Sequence, residues 1–385
     1  MSFIIFFSIV LGVYILANIY IFQKGLFALL AYPVLKTYFT VFFWFLALTY
    51  PAGRIVERLY LSHLSDFLIW TGSFWLAALL YFFMVSLLID IVRLTNNFWP
   101  YLPVWFAGNG FRVGLLSTVV GGVLILLIGG FVNTKKPVVK NIDVHIHKQA
   151  GGRQSLHAVL ISDIHLGTII GNGHLERIIS EINRVDPEIV IIAGDLVDED
   201  LLPVLRQDIG HTLKKLQPPL GVYAVTGNHE YIGGVRDAVG YLEEYGINFI
   251  RDTVLKVDES FYLIGREDRE KPRFTGKKRK PLEDLISMAD DQYPLILIDH
   301  QPFNLQKTAK AGVDIQLSGH THHGQLWPLN YITSAIYSVS RGYEKISGMH
   351  VYVTSGVGTW GPPVRIGSRP EIINMRMCFD DCSEK

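Results

Sequence analysis

The first 133 residues consist largely of Phe, Leu, Ile, Val, Trp and Tyr, and four runs within them are long and nearly uncharged. They span Ser2 to Phe22, Lys36 to Tyr50, Phe67 to Val92 and Val113 to Val132. A hydrocarbon core of about 30 Å takes roughly 20 residues of helix. Helices apolar on every side need an apolar surrounding, which a segment of this size cannot supply from itself, so these runs read as a four-helix transmembrane region. The second run is the shortest, and Pro33 with Lys36 sets its start at the interface or makes it partly re-entrant. Met1-Ser2-Phe3 brings no Lys or Arg ahead of the first run and no small-residue cleavage site follows, so that run is expected to be a retained span. Trp99, Tyr101 and Trp105, with Pro100 and Pro103, read as an interfacial aromatic belt between the third and fourth spans. Four spans put both ends on one side of the membrane. Comparing Arg54, Arg58, Lys135, Lys136 and Lys140 with Lys24, Lys36, Arg93 and Arg112 favours, slightly, a cytoplasmic C-terminal part.

Beyond Lys135 the sequence becomes an ordinary mixed-charge one. The chain of 385 residues holds 35 Lys and Arg against 35 Asp and Glu. That balance, with no basic face, argues against nucleic acid as a partner. Cys378 and Cys382 lie late in the chain and read as free thiols in a polar tail. The expected division is 1–133 transmembrane, 134–155 a linker and first strand, 156–376 an α/β catalytic domain, and 377–385 the tail. Val138 to His147 alternates as a half-buried strand, and Ala158 to Ser162 is a short apolar run of the kind found in central strands. Strands at Ile189 to Ala193, Gly221 to Val225, Ile247 to Ile250, Phe261 to Ile264 and Leu295 to Ile298 then mix with helical spacing at His174 to Val185, Val235 to Glu244 and Pro281 to Met288. This is the pattern of βαβ units with helices packed over sheets. His145 and His147 share a face of their strand, upstream of every motif, and read as surface or packing residues.

Five short segments carry the chemistry: Asp163-x-His165, Gly194-Asp195-x-x-Asp198, Gly227-Asn228-His229-Glu230, His300, and Gly319-His320-x-His322. Each follows a predicted strand, where an α/β sheet presents loops to a ligand. None could hold a metal pair alone, and each taken singly reads equally well as a turn or a helix cap. Together they supply about seven donors for two divalent ions. Carboxylate with imidazole suits Mn, Fe or Zn better than Mg or Ca. Asp195 has two oxygens with which to bridge, Asn228 offers a neutral amide oxygen, and His229 is left for proton transfer.

This ordered set resembles the calcineurin-like metallophosphoesterase superfamily over roughly residues 138 to 375. The resemblance implies a two-layered β-sandwich flanked by helices and two metal ions, Mn favoured. It assigns Asp163, His165 and His322 to one ion, Asn228, His300 and His320 to the other, and Asp195 to the bridge. His229 becomes the catalytic acid, oriented by Asp198. Where close relatives often have Gly this chain has His323, which is left unassigned.

Trp327-Pro328, the run Thr354 to Thr359, Pro362, Arg365 and Pro370-Glu371 are similar to a membrane-associated subgroup, some of whose members cleave the diphosphate of UDP-2,3-diacylglucosamine. The implied function is hydrolysis of a phosphoester or diphosphate by metal-activated hydroxide, with a lipid or nucleotide substrate and the bilayer as partners. Leu326 to Tyr337 reads either as an apolar wall that admits an acyl chain or as packing against the membrane helices. Lys271 to Lys280 carries six positive charges and reads as an exposed loop attracted to anionic lipid. An anchored hydrolase of soluble nucleotides or phosphoproteins is the alternative. A non-catalytic receptor is disfavoured by the presence of both His229 and Asp198, and no motif specifies an oligomeric state.

Overall fold

The computed structural model describes residues 2–380. The chain forms two compact units, one of residues up to 131 together with 362–364, the other made of the remainder.

The first unit is helical. Helices α1 (Ser2–Ala28), α2 (Pro33–Leu59), α3 (His63–Phe98) and α4 (Asn109–Thr134, which runs into the second unit) are each long and apolar enough to cross a membrane. The second is no short or re-entrant segment but a helix of 27 residues. Pro33 lies in its first turn, where a missing N–H costs nothing, so the proline starts the helix three residues ahead of the expected apolar run. Ser62 caps α3, its hydroxyl accepting from Ser65 N while Ser65 Oγ accepts from Ser62 N. A Cβ on Gly72 would stand 2.4 Å from the Tyr50 backbone, so only glycine lets α2 and α3 approach this closely. Trp75 Nε1 donates to Asn18 Oδ1 at 3.0 Å, satisfying both groups between α1 and α3.

The second unit holds two six-stranded sheets. The strands are β1 (Val138–His145), β2 (Ser155–Ile161), β3 (Ile189–Ile192), β4 (Val222–Ala224), β5 (Ile247–Phe249), β6 (Thr253–Val257), β7 (Phe261–Gly265), β8 (Leu295–Ile298), β9 (Ile315–Ser318), β10 (Gly342–Ile346), β11 (Met349–Val353) and β12 (Glu371–Cys378). One sheet runs β1-β12-β2-β3-β4-β5, the other β10-β11-β9-β8-β7-β6. Period-two burial explains the layers. Ala158, Leu160, Ile189 and Ile191 join Leu263, Ile296, Ile298 and Leu317 in one core between the sheets. Their neighbours Val159, Ile161, Val190 and Ile192 face outward, onto Leu175, Ile178 and Ile182 of helix α5 (Asn172–Val185). Leu295 and Leu297 do the same on the far side, against Leu282, Leu285 and Leu305. The result is the expected two-layered β-sandwich flanked by helices. His145 and His147 are exposed.

β12 was not legible from local pattern. It inserts between β1 and β2, parallel to the first and antiparallel to the second, so Met377 and Cys378 are buried sheet residues rather than a polar tail. Cys382 lies outside the described residues.

His174, on α5, is buried, and burial, reinforced by Lys135 and Arg177, pulls its pKa down to about 4. The unfolded chain, at about 6.5, takes up this proton first as pH falls. The neutral ring therefore stabilises the fold above pH 6.5, and the contribution disappears as pH falls toward 4. Relative to His174→Gln, the wild type should lose about 3 kcal/mol between pH 7 and pH 4, measured by parallel denaturant titrations.

Candidate metal centre

β2, β3 and β4 are adjacent parallel strands of one sheet, and β8 and β9 are adjacent parallel strands of the other. Their carboxyl ends therefore open at one rim of the sandwich. Asp163 and His165 follow β2, Asp195 and Asp198 follow β3, Asn228 and His229 follow β4, His300 follows β8, and His320 and His322 follow β9.

Ligand atoms of Asp163, His165 and His322 lie within 4.8 Å of one another, and so do those of Asp195, His300 and His320. Asp195 Oδ2 stands 3.1 Å from His300 Nε2 and 3.9 Å from His165 Nε2, so it faces both groups. The backbone is bent to achieve this: Asp163, His165, Asp195, His320 and His322 all have φ between 45° and 71°. Non-glycine residues seldom adopt this region, and runs of it mark functional sites. Gly227 completes the convergence, since a Cβ there would stand 2.0 Å from Asp195 Oδ1.

The donors fit metal ions. Asn228 Oδ1 is buried without a hydrogen-bond partner, and His300 Nε2 faces only the carboxylate of Asp195. His165 Nε2 and His322 Nε2 face each other at 3.0 Å, a separation that two lone pairs tolerate only with a proton or cation between them. Burial holds His320 down to about 3. Burial, then the neighbouring His165 and Arg365, holds His322 far below the imidazole range. Both rings are thus neutral, the form in which imidazole ligates. His300 Nδ1 is directed at Ala193 O at 2.6 Å, which fixes the ring with Nε2 toward Asp195.

Asp198 plays a wider part than expected. Its Oδ1 lies 3.2 Å from His229 Nδ1 and also 3.6 Å from His165 Nδ1, so one carboxylate orients both rings. Burial would raise its pKa, but hydrogen bonding to the two histidines outweighs burial and holds the carboxyl well below the usual range. Burial likewise opposes charge on His229, yet Asp195 and Asp198 push its pKa up to about 9.

Two supporting residues went unassigned in the sequence reading. Glu230 is buried and accepts from Asp195 N, Val197 N and Gly227 N at 3.2, 3.0 and 2.7 Å, tying the second ligand segment to the third. Its position one residue after His229 was the available signal. Arg365, 1% exposed, donates to Ser355 O and Gly358 O at 2.7 Å and places Nη2 3.2 Å from His322 Nδ1. His323 stands apart from the ligand groups, its Nδ1 3.3 Å from Ser340 Oγ.

Residues 156–324 match a family model described as calcineurin-like phosphoesterase. The chain is 33% identical over 284 residues to a Danio rerio protein described as a transmembrane protein with metallophosphoesterase domain, the match covering 70% of this chain and 63% of that one. It is 32% identical over 216 residues to an uncharacterized metallophosphoesterase of Aquifex aeolicus, covering 55% of this chain and 81% of that one. A Campylobacter jejuni protein, also an uncharacterized metallophosphoesterase, is 26% identical over 391 residues, 98% of this chain and 99% of its own. The chain spans 60% to 63% of the length of the vertebrate relatives it matches.

Proposed function

Because the chain belongs to the calcineurin-like metallophosphoesterase family, we propose that it is a membrane-anchored, binuclear-metal phosphohydrolase acting on a lipid-linked phosphoester or diphosphate such as UDP-2,3-diacylglucosamine. The observation that carries the hydrolase reading is the convergence of donors from five strand ends, with Asn228 Oδ1 unpartnered and buried there. Asp163, His165 and His322 would hold one ion, Asn228, His300 and His320 the other, and Asp195 both. Nitrogen and oxygen donors without thiolate fit Mn, Fe or Zn, with Mn favoured. Two such ions, when bound, polarise the phosphoryl oxygens and lower the pKa of water from 15.7 toward about 7. His229 is aimed by Asp198 through Nδ1, which leaves Nε2 to protonate the departing oxygen.

Support for a lipid substrate comes from the surface beside the site. The helix Leu329–Ile336 follows the metal-ligand loop and leaves Tyr331, Ile332 and Ile336 more than half exposed. Trp360, also more than half exposed, is fastened to that loop by reciprocal hydrogen bonds with Gln325 and lies 6.0 Å, ring to ring, from His229. In a chain with four membrane-length helices, such a face suits the headgroup and acyl boundary. The slight Lys and Arg bias of the loops supports a catalytic unit on the cytoplasmic side.

Ile332→Asp with Ile336→Asp should lower kcat/KM for UDP-2,3-diacylglucosamine in mixed micelles by about tenfold or more, and leave a soluble aryl phosphodiester unchanged. Equal effects on both, or turnover of the lipid indifferent to surface dilution, would count against the lipid reading. Detergent-independent cleavage of a soluble nucleotide ester would favour the alternative.

A further inference from the structure

The outer side of the β7-β8 region carries a cleft of about 500 Å³ that the metal centre does not use. Arg266, Arg269, Lys278, Arg279 and Lys307 line it against a single acidic residue, Glu283. Two of these cations, Lys278 and Arg279, come from the basic run expected to be a solvated loop. The run instead begins as the short helix Lys271–Thr275, and two of its charges are drawn inward. Lys271 Nζ pairs with Asp252 at 2.8 Å, and Arg279 grips the buried Asp299 through both terminal nitrogens at 3.0 and 3.1 Å.

Asp299 also accepts from Arg266 Nη1 at 3.2 Å. Two guanidiniums thus share one carboxylate, leaving the floor of the cleft positive, and Arg266 Nε is buried there without a hydrogen-bond partner. Glu283 is answered by Lys307 at 2.8 Å. Among the described residues, Arg269 and Lys278 have no carboxylate within ion-pair distance, and Arg269 lies over the Phe303 ring at 4.4 Å. Cations crowded this way repel one another unless an anion joins them. Planar guanidiniums on the floor and the exposed Arg269 and Lys278 at the rim suit the oxygens of phosphate.

The cleft floor and the metal centre are carried by neighbouring residues. Just past β8, Asp299 anchors the cleft floor while the next residue, His300, turns to Asp195. At the rim, rings connect Arg269 to a metal-ligand histidine: Phe303 lies 4.8 Å from Tyr337, and Tyr337 6.0 Å from His320.

We propose that this cleft binds a second phosphate group, separate from the one that meets the metal centre. The phosphate is either the remote phosphate of the substrate or the headgroup of an anionic lipid. The substrate arm rests on the hydrolase reading above, whereas binding itself does not.

The test is calorimetric titration of the purified full chain, in zwitterionic micelles at constant Mn, with methylenediphosphonate, a diphosphate analogue that resists hydrolysis. The variant is Arg269→Ala with Lys278→Ala, two side chains whose removal breaks no ion pair. The wild type should bind one more equivalent than the variant or, where one diphosphonate spans the cleft and the metal centre, the same equivalent about tenfold more tightly. Equal stoichiometry and affinity would overturn the proposal. If the phosphate belongs to the substrate, the variant should raise KM about tenfold for a diphosphate ester, with kcat and a single-phosphate aryl ester unchanged. If it is a headgroup, phosphatidic acid added to the micelles should displace the extra equivalent from the wild type. The extra equivalent on a protein with no phosphoesterase turnover would sink the hydrolase reading and keep the cleft.

Discussion

Asp195→Asn should lower kcat/KM on any phosphoester by at least about 1,000-fold, about 4 kcal/mol of transition-state stabilisation, and should lower bound metal in parallel. Asp195 Oδ2 faces His300 and His165 at 3.1 and 3.9 Å, while Oδ1 accepts from His229 N at 2.9 Å. Asparagine keeps the shape but removes the charge and one of the two oxygens, so neither ion would keep its shared ligand. His322→Ala should also lose metal and activity, because that ring lies 3.5 Å from Asp163 Oδ1 and belongs to one ligand group alone. Metal analysis beside turnover checks both. An Asp195→Asn protein with wild-type activity would remove the shared-ligand account.

His229→Ala should separate metal binding from proton transfer. The ring's Nδ1 is turned to Asp198, and the neighbouring Asn228 carries the amide oxygen offered to metal, so the variant is expected to keep its ions. Loss of a positioned general acid costs roughly 100-fold to 10,000-fold when the leaving group is a poor one. A 4-nitrophenyl ester, whose leaving group departs unprotonated, should lose less than about tenfold. Equal loss on an alkyl and a nitrophenyl ester would count against His229 as the acid. Asp198→Asn is a more ambiguous probe, since Asp198 also orients the candidate ligand His165.

The ligand segments were legible because each sits where an apolar strand stops, and strand ends show in local composition. Their convergence was not. It depends on β2, β3 and β4 lying side by side and facing β8 and β9, a long-range arrangement that entered only through family resemblance. The same limit hid β12, whose partners β1 and β2 lie more than 200 residues away in sequence. The continuous apolar runs of β2 and β3 marked central strands, but not that one face would meet the other sheet and the other α5. The membrane-length runs were read correctly in number. Apolar content underestimated α2, because Pro33 at its start looked like an interruption when in a first turn it is a beginning. Charge patterns were the least legible: Lys271 and Arg279 looked solvated until Asp252 and Asp299, 19 and 20 residues away, were seen to meet them. Glu230 and Arg365 illustrate the same point at the site, since their partners are mainly backbone groups that no sequence pattern announces.

Turnover is expected to require two metal ions bound by these seven donors. The most direct measurement is the metal content of the purified full chain, followed through chelation and Mn addition while hydrolysis of an aryl phosphodiester is monitored. About two ions per chain, with activity lost on chelation and restored by Mn, is the predicted result. Full activity in protein stripped of metal, or turnover that persists when these donors bind none, would contradict it.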